Sequence, residues 1–153
     1  LIGAGELSHR VAQLALTLDY AVTICDSRPE YAHGWQVDGA EFLTVDTAQA
    51  VTDLQPDSRC VVLALSHTPA LDDGALAAAL QSNAYYIGAL GSHKNQQARL
   101  RRLQQRGLSE DQLARLHGPA GLNIGSRRPA EIAIAMMAAL IEKRSRAATR
   151  KSE

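Results

Sequence analysis

Short apolar segments rich in β-branched residues alternate along this chain with segments of helical periodicity, and no other feature constrains its fold as strongly. The short segments predict strands over residues 1–5, 21–25, 41–45, 60–65 and 85–87. Helices are predicted over residues 6–18, 47–54, 69–81, 92–106, 109–116 and from residue 129 onward. Strands that alternate with helices pair in parallel through right-handed crossovers, so a parallel sheet with helices on both faces is expected.

A glycine turn follows the first strand and leads into the first helix. Gly3-Ala4-Gly5 begins a partial GxGxxG pattern, in which Ser8 occupies the third glycine position. In that context we predict an α/β fold with a doubly wound parallel sheet, Rossmann-like, in three αβα layers with strand order 3-2-1-4-5. This order places the turn across one crevice from Ser66 and His67. Backbone N–H groups and the helix dipole there attract an anion such as a phosphate, and a glycine turn with no ligand is the alternative.

The length of 153 residues favours one domain, which we place at residues 1–142, followed by a basic tail at residues 143–153. The first strand is shorter than the usual length of about five or six residues, so we expect its beginning to be missing and the chain to be a piece of a longer protein. No apolar run approaches the roughly 18 residues that a bilayer crossing needs, and a cytoplasmic protein with no membrane partner is expected.

Charge divides the chain into an acidic and a basic part. Residues 1–90 carry 3 basic and 11 acidic side chains, whereas residues 91–153 carry 13 and 5. The basic part favours an anionic partner. All aromatic side chains precede residue 91, so the basic part has no platform on which unpaired bases would stack, and no nucleic-acid partner is expected.

The two cysteines lie on strands that the predicted order separates by one strand. Cys25 and Cys60 would then be about 10 Å apart, which is farther than a disulfide reaches. Two free, buried thiols are therefore predicted. Neither cysteine belongs to a metal-binding spacing such as CxxC, and no metal site is predicted.

Polar side chains at the ends of two further strands are candidates for ligand contacts. Asp26 follows Gly5 by 21 residues, where an acid would accept hydrogen bonds from a ribose, and Arg28 would either grip a phosphate or pair with Asp26. Asp-Ser-Arg-Pro is also ordinary turn chemistry. His67 is either a ligand contact or a loop histidine, and since no nucleophile or metal partner accompanies it, no catalytic residue is assigned.

A second anion cradle is predicted where the fifth strand meets its helix. Gly91 permits close approach, Ser92 offers a hydroxyl, and Lys94 opposes the helix dipole unless an anion is bound. A solvated lysine is the alternative interpretation. Three arginines follow at helical spacing and are expected on a solvated face: Arg99, Arg102 and Arg106.

Taken in order, these motifs resemble the Rossmann domain of the XdhC/CoxI proteins, which are accessory factors for xanthine dehydrogenase and related molybdenum hydroxylases. The glycine turn and five further motifs carry the resemblance: Asp26-Ser27-Arg28-Pro29-Glu30, Ser66-His67 with Ala70-Leu71-Asp72, Tyr86 to Ser92, Gly118 to Gly125, and Pro129-Ala130-Glu131-Ile132-Ala133. The resemblance covers essentially the whole chain, and the last two motifs are rather specific.

The resemblance implies a chaperone rather than an enzyme. Such a protein binds molybdenum cofactor (a molybdopterin), has it sulfurated with a cysteine desulfurase, and delivers it to the apo-enzyme of a molybdenum hydroxylase; a homodimer is implied by analogy. The cofactor-binding residues would surround one crevice: Gly3, Gly5, Asp26, Arg28, Ser66, His67, Gly91, Ser92, Lys94, Gly121 and Gly125. Two other classes stay open, an NAD(P)-dependent oxidoreductase domain and a regulatory module whose basic helix over residues 94–106 docks an acidic partner.

Overall fold

The computed structural model describes residues 1–149, which form helices and short strands in alternation. The helices of this part of the chain are α1 (Glu6–Thr17), α2 (Pro29–His33), α3 (Thr47–Leu54), α4 (Pro69–Leu80), α5 (His93–Gln105), α6 (Glu110–Leu113) and α7 (Pro129–Thr149). The strands are β1 (Val22–Cys25), β2 (Ala40–Leu43), β3 (Val61–Ala64), β4 (Tyr86–Ala89) and β5 (Leu116–His117). Except for α2 and β5, each element lies where a helix or strand is predicted.

All strands pair in parallel, and one residue near the chain start joins the two halves of the sheet. β1 pairs with β2 on one side, and β3, β4 and β5 pair in that order on the other. Ile2 makes a parallel bridge to Cys25 of β1 and a second one to Ala64 of β3. The resulting order is β2-β1-Ile2-β3-β4-β5, which confirms the predicted doubly wound, Rossmann-like arrangement.

Helices cover both faces of the sheet, as the three-layer prediction requires. Alternate residues of one strand, such as Val62 and Leu63 of β3, belong to two different hydrophobic clusters, because successive side chains of a strand point to opposite faces. One cluster holds residues of α3, α4 and α5, including Val51, Leu76, Leu80 and Leu103. The other holds residues of α1 and α7, including Leu7, Val11, Met136 and Leu140.

Strand β5 lies in a segment for which the sequence predicts the end of a helix. A helix is predicted over residues 109–116, but α6 ends at Leu113, and Leu116 and His117 form β5 beside Ile87 and Gly88 of β4. The start of the predicted helix is right, because Ser109 and Gln112 cap α6 reciprocally. A two-residue strand carries no alternation that a sequence pattern could reveal, and its pairing with β4 depends on the tertiary fold.

The C-terminal helix runs through most of the segment predicted as a basic tail. α7 extends to Thr149, and residues 150–153 of that segment lie outside the described residues. None of the helices in the described part of the chain has both the length and the apolar composition needed to cross a bilayer.

The cysteines have different environments. Both are free thiols, as predicted, but only Cys25 is buried, whereas Cys60 is partly exposed at the start of β3. The prediction of two buried thiols is therefore wrong for Cys60. Cys60 lies just before β3, directly after the exposed turn at Ser58 and Arg59.

Candidate functional site

The glycine turn packs directly against the end of β3. Gly3 has a φ of +88°, and a Cβ built on it would lie 2.5 Å from the Cβ of Ser66. Its backbone N–H donates to the carbonyl of Cys25 at 2.9 Å. Glycine is therefore required at position 3 for both its backbone angle and its lack of a side chain. Gly3 and Ser66 are neighbours in van der Waals contact and leave no crevice between them.

Open space lies instead around Gly5, the N-cap residue of α1. Its backbone is extended, with a φ of −79°, and no side chain caps the helix. A Cβ built on Gly5 would meet nothing within 4 Å. The amide groups and the positive end of the dipole at the start of α1 are thus accessible to an anion. Glu6, which is exposed, is the acidic side chain closest to this helix end in sequence.

Ser8 explains how the turn closes without a third glycine. Its side chain is fully buried, and its hydroxyl donates a hydrogen bond of 2.5 Å to the carbonyl oxygen of Gly3. The contact holds the first turn of α1 against the glycine turn.

Asp26 links the end of β1 to the glycine turn. Its fully buried carboxylate accepts hydrogen bonds from the N–H of Ala4 at 2.9 Å, and from Nε of Arg28 at 2.8 Å and Nη2 of Arg28 at 2.7 Å. Burial acts to raise the pKa of Asp26, but the hydrogen bonds from Arg28 and Ala4 outweigh it, so the pKa lies below its usual value. Of the two roles considered for Arg28, the structure contains the ion pair. The guanidinium also lies 3.8 Å from the centre of the Tyr31 ring.

The turn after β3 is organised by Ser66. Its hydroxyl donates to Oδ1 of Asp72 at 2.7 Å and accepts a hydrogen bond of 2.9 Å from the N–H of Thr68. His67 is exposed and has a φ of 61°, which places its backbone in the left-handed region. Ser66 therefore shapes the turn, while the His67 side chain faces solvent.

At the start of α5, where the second anion cradle is predicted, a serine again shapes the backbone and the charged side chain faces solvent. The hydroxyl of Ser92 caps the helix by accepting from the N–H of Asn95 at 3.2 Å, and Lys94 is exposed. Gly91 has a φ of +138°, and a Cβ built on it would lie 3.7 Å from Nη2 of Arg99. Glycine suits position 91 because of this positive φ and because a Cβ there would lie 3.3 Å from the Cβ of Asn95.

Arg99 is a site residue that the sequence analysis missed. It was expected on a solvated face, but only 6% of it is exposed. Its Nη1 donates to Oε1 of Gln96 and its Nη2 to the carbonyl of Leu90, each at 2.8 Å. Arg102 is half-buried and forms an ion pair of 2.6 Å with Asp73, so the prediction of a solvated face holds for Arg106 only. The sequence contained one signal that these arginines are not all solvated, the acidic pair Asp72-Asp73 on the preceding helix.

A cavity of about 210 Å³ lies between α4 and α5, beneath the turns that follow β3 and β4. Its walls include His67, Asp72, Leu90, Asn95, Arg99 and Arg102. A larger cavity of about 530 Å³ lies between the amino-terminal halves of β1 and β3, and its lining contains none of the predicted site residues. Most of that lining is apolar, including Val22, Val61 and Leu140. The smaller cavity is the one located at the ligand-binding edge of a doubly wound sheet.

Two predicted residues lie elsewhere. Gly121 has a φ of +103°, and a Cβ built on it would lie 3.0 Å from the backbone of Ala135 and Met136, so it packs tightly on α7. Gly125 is exposed with a φ of +74° and open space around it. Of the eleven predicted residues, His67 alone lines the cavity between α4 and α5; Gly121, Gly125 and the other eight do not.

No cluster of three or more His, Cys, Asp or Glu side chains within the described residues is arranged to hold a metal ion.

Comparison with known sequences gives matches over nearly the whole chain. A family model described as the XdhC Rossmann domain matches residues 1–140. The uncharacterized protein YqeB of Escherichia coli K12 is 30% identical over 151 residues, which are 96% of this chain and 27% of YqeB. The molybdenum cofactor insertion chaperone PaoD of the same organism is 28% identical over 93 residues, which are 61% of this chain and 29% of PaoD.

Comparison with solved structures supports the same grouping. A crystal structure described as a xanthine dehydrogenase from Bacillus halodurans superposes with a TM-score of 0.77 and 30% sequence identity. The match covers 94% of this chain and 41% of that one. The chain therefore spans well under half the length of each of these relatives.

Proposed function

This chain belongs to the XdhC family through its Rossmann domain, as its motifs predicted, and on that premise we propose that it is the cofactor-binding part of an accessory protein for xanthine dehydrogenase-type molybdenum hydroxylases. Two relatives support the proposal by name, since one is a molybdenum cofactor insertion chaperone and another is described as a xanthine dehydrogenase. The ligand is molybdenum cofactor, which the protein protects and passes on.

The observation that carries this proposal is the open N-terminus of α1 at Gly5. Molybdopterin bears a phosphate, and a helix start with accessible amide groups suits that group without further charged residues. The exposed ammonium of Lys94 adds positive charge near the end of β4, whereas the charge of Arg28 near the end of β1 is already paired with Asp26. These features fit a phosphorylated cofactor bound across the carboxyl ends of the strands.

The same proposal gives the protein no turnover of its own. Bound cofactor supplies the redox chemistry of the hydroxylase that receives it, whereas the accessible amide groups at the start of α1, beside Gly5, hold its phosphate. A cysteine desulfurase and the apo-hydroxylase are the proposed partners, and a homodimer in the cytoplasm is the proposed state.

The proposal is tested by titrating the purified protein with molybdenum cofactor released anaerobically from a molybdenum enzyme, and separately with NAD and NADP. Calorimetry should detect binding of the molybdenum cofactor, and Gly5→Val should abolish it because the added side chain occupies the space in front of the α1 amides. Gly34→Val is the matched control, since a Cβ at Gly34 also finds room, with its nearest neighbour at 3.9 Å. Tight binding of NAD or NADP together with no affinity for the molybdenum cofactor overturns the proposal.

A further inference from the structure

The cavity between α4 and α5 contains a buried acid and a buried base that do not pair with each other. Asp72 is 2% exposed and Arg99 is 6% exposed, and both line this cavity. Among the described residues, no carboxylate oxygen lies within ion-pair distance of Arg99. Buried charges are normally paired, so both groups are available for a third partner.

Arg99 has a donor with no acceptor. Two of its nitrogens donate to Gln96 and to the carbonyl of Leu90, but its buried Nε has no hydrogen-bond partner within the described part of the chain. That N–H is enclosed by protein and leaves no room for a ligand atom, but Nη1 and Nη2 each carry a second N–H, so Arg99 can donate to an acceptor in the cavity that it lines. Gly91 keeps the chain backbone close to the guanidinium without covering it with a side chain.

Asp72 offers the complementary chemistry. Ser66 holds its Oδ1 in place through a hydrogen bond of 2.7 Å. Burial raises the pKa of Asp72, while the hydrogen bond from Ser66 and the positive charge of Arg99 act to lower it. A carboxylate accepts two parallel N–H···O bonds, so adjacent ligand donors would satisfy it. A free anion is a poor occupant, because this acid lines the same cavity as Arg99.

From this pairing of an acceptor and a donor we infer that the cavity recognises the edge of a 2-amino-4-oxopyrimidine ring, in which two neighbouring N–H groups donate to Asp72 and the ring carbonyl accepts from Arg99. Pterins and guanine present this edge. The cavity volume of about 210 Å³ lies below the range typical of whole drug-sized ligands, which suits a ring system rather than an entire nucleotide. The inference rests on the proposed function, since the ring it names is that of the molybdopterin.

The test compares two rings of nearly identical shape on the purified protein. Pterin (2-amino-4-oxopteridine) should bind, as measured by calorimetry or by its own fluorescence. Lumazine (2,4-dioxopteridine) places a carbonyl where pterin has its amino group and should bind at least about tenfold more weakly, because that oxygen would face the carboxylate of Asp72.

Variants locate the effect. Asp72→Asn should weaken pterin binding about tenfold, since an amide N–H would replace one acceptor. Asp57→Asn is the control: Asp57 lies in the turn before β3, at the opposite end of that strand, and neither Asp57 nor its ion-pair partner Arg59 lines this cavity. Its pterin affinity should stay within about twofold of the wild type. If Asp72→Asn does not fold, the pterin and lumazine comparison on the wild-type protein decides alone.

Equal affinity for pterin and lumazine overturns the inference, as does an Asp72→Asn variant that binds pterin like the wild type. Suppose either result is found, while the protein still binds molybdenum cofactor and Gly5→Val abolishes that binding. The proposed function then stands, and the assignment of the ring site is wrong. Asp72-dependent pterin binding without affinity for molybdenum cofactor would support the ring site and refute the proposed function.

Discussion

Gly3 lies directly against Ser66, with a built methyl group standing 2.5 Å from the Cβ and 2.6 Å from the Cα of that residue. Two loops that are 63 positions apart in sequence are thereby fixed to each other at the centre of the sheet. Any ligand at this edge must bind over their joint surface, because no space separates them.

Gly3→Ala should therefore lower the free energy of unfolding by about 3 kcal/mol, since it combines overpacking with a strained positive φ. Gly5→Ala is the control, because its Cβ enters open space with an ordinary φ; its cost should stay below about 1 kcal/mol, the difference between glycine and alanine at an N-cap. Urea unfolding followed by circular dichroism measures both. Equal stability of the two variants would show that the turn can move away from β3.

Asp26→Asn should lower the free energy of unfolding at neutral pH by about 2 to 3 kcal/mol, because it removes the charge that Arg28 and the Ala4 amide share. The folded pKa of Asp26 lies below its usual value of 3.8, so its ionised form stabilises the fold above that value. The stabilisation is lost as the pH falls through the folded pKa.

Urea unfolding of the wild type and of Asp26→Asn at several pH values between 7 and 3 tests this sign. The difference between them should be constant near neutrality and shrink below about pH 4. Asp57→Asn, which removes an exposed ion pair with Arg59, should change stability little at any of these pH values. A gap that widens on acidification contradicts the ion-pair account of Asp26.

Native protein should expose one thiol to alkylation. Cys60 is partly exposed, whereas Cys25 is buried and burial raises the pKa of its thiol. Iodoacetamide followed by peptide mass spectrometry should label Cys60 in the native state and Cys25 only in urea. Equal labelling rates in the native protein would mean that the sheet opens near Ile2.

Lys94→Gln should have opposite effects on stability and on ligand binding. The lysine lies in the first turn of α5, where a cation opposes the helix dipole, so its removal should stabilise the fold by about 0.3 to 1 kcal/mol. If the ligand places an anionic group at this helix end, the same change should weaken cofactor binding severalfold. Arg101→Gln, in the middle of the same helix and also exposed, should do neither.

The fold was predictable to the extent that it depends on local pattern. Apolar β-branched segments between amphipathic helices are sufficient to predict β1, β2, β3 and β4, and the Rossmann assignment from the glycine turn then gives their order. β5 was not predictable, because two residues have no periodicity and their pairing depends on β4. The five-residue helix α2 was missed for the same reason of length.

The edge of the sheet at which the turns meet was predictable, but the pairings of the side chains there were not. In a parallel sheet the turns at Gly3, Ser66 and Gly91 all follow the carboxyl ends of strands, so they meet at the same edge whatever the orientation of their side chains. Helical spacing alone could not distinguish a buried Arg99 from an exposed Arg106, because burial depends on how α4 packs beside α5. Likewise, the spacing of Asp26 from Gly5 does not show that the Asp26 carboxylate already accepts hydrogen bonds from other residues of the protein.

The hydroxyl of Ser8 bears on how such domains are found in genomes. A search pattern that insists on glycine or alanine at this position would pass over the chain, although the loop and helix it is meant to detect are both present. In the usual pattern, glycine lets the helix approach the loop because it has no side chain. Here the hydrogen bond from Ser8 to Gly3 holds the helix against the loop. Consensus patterns built on residue identity should therefore admit serine here, where its side chain can reach back to the first glycine carbonyl.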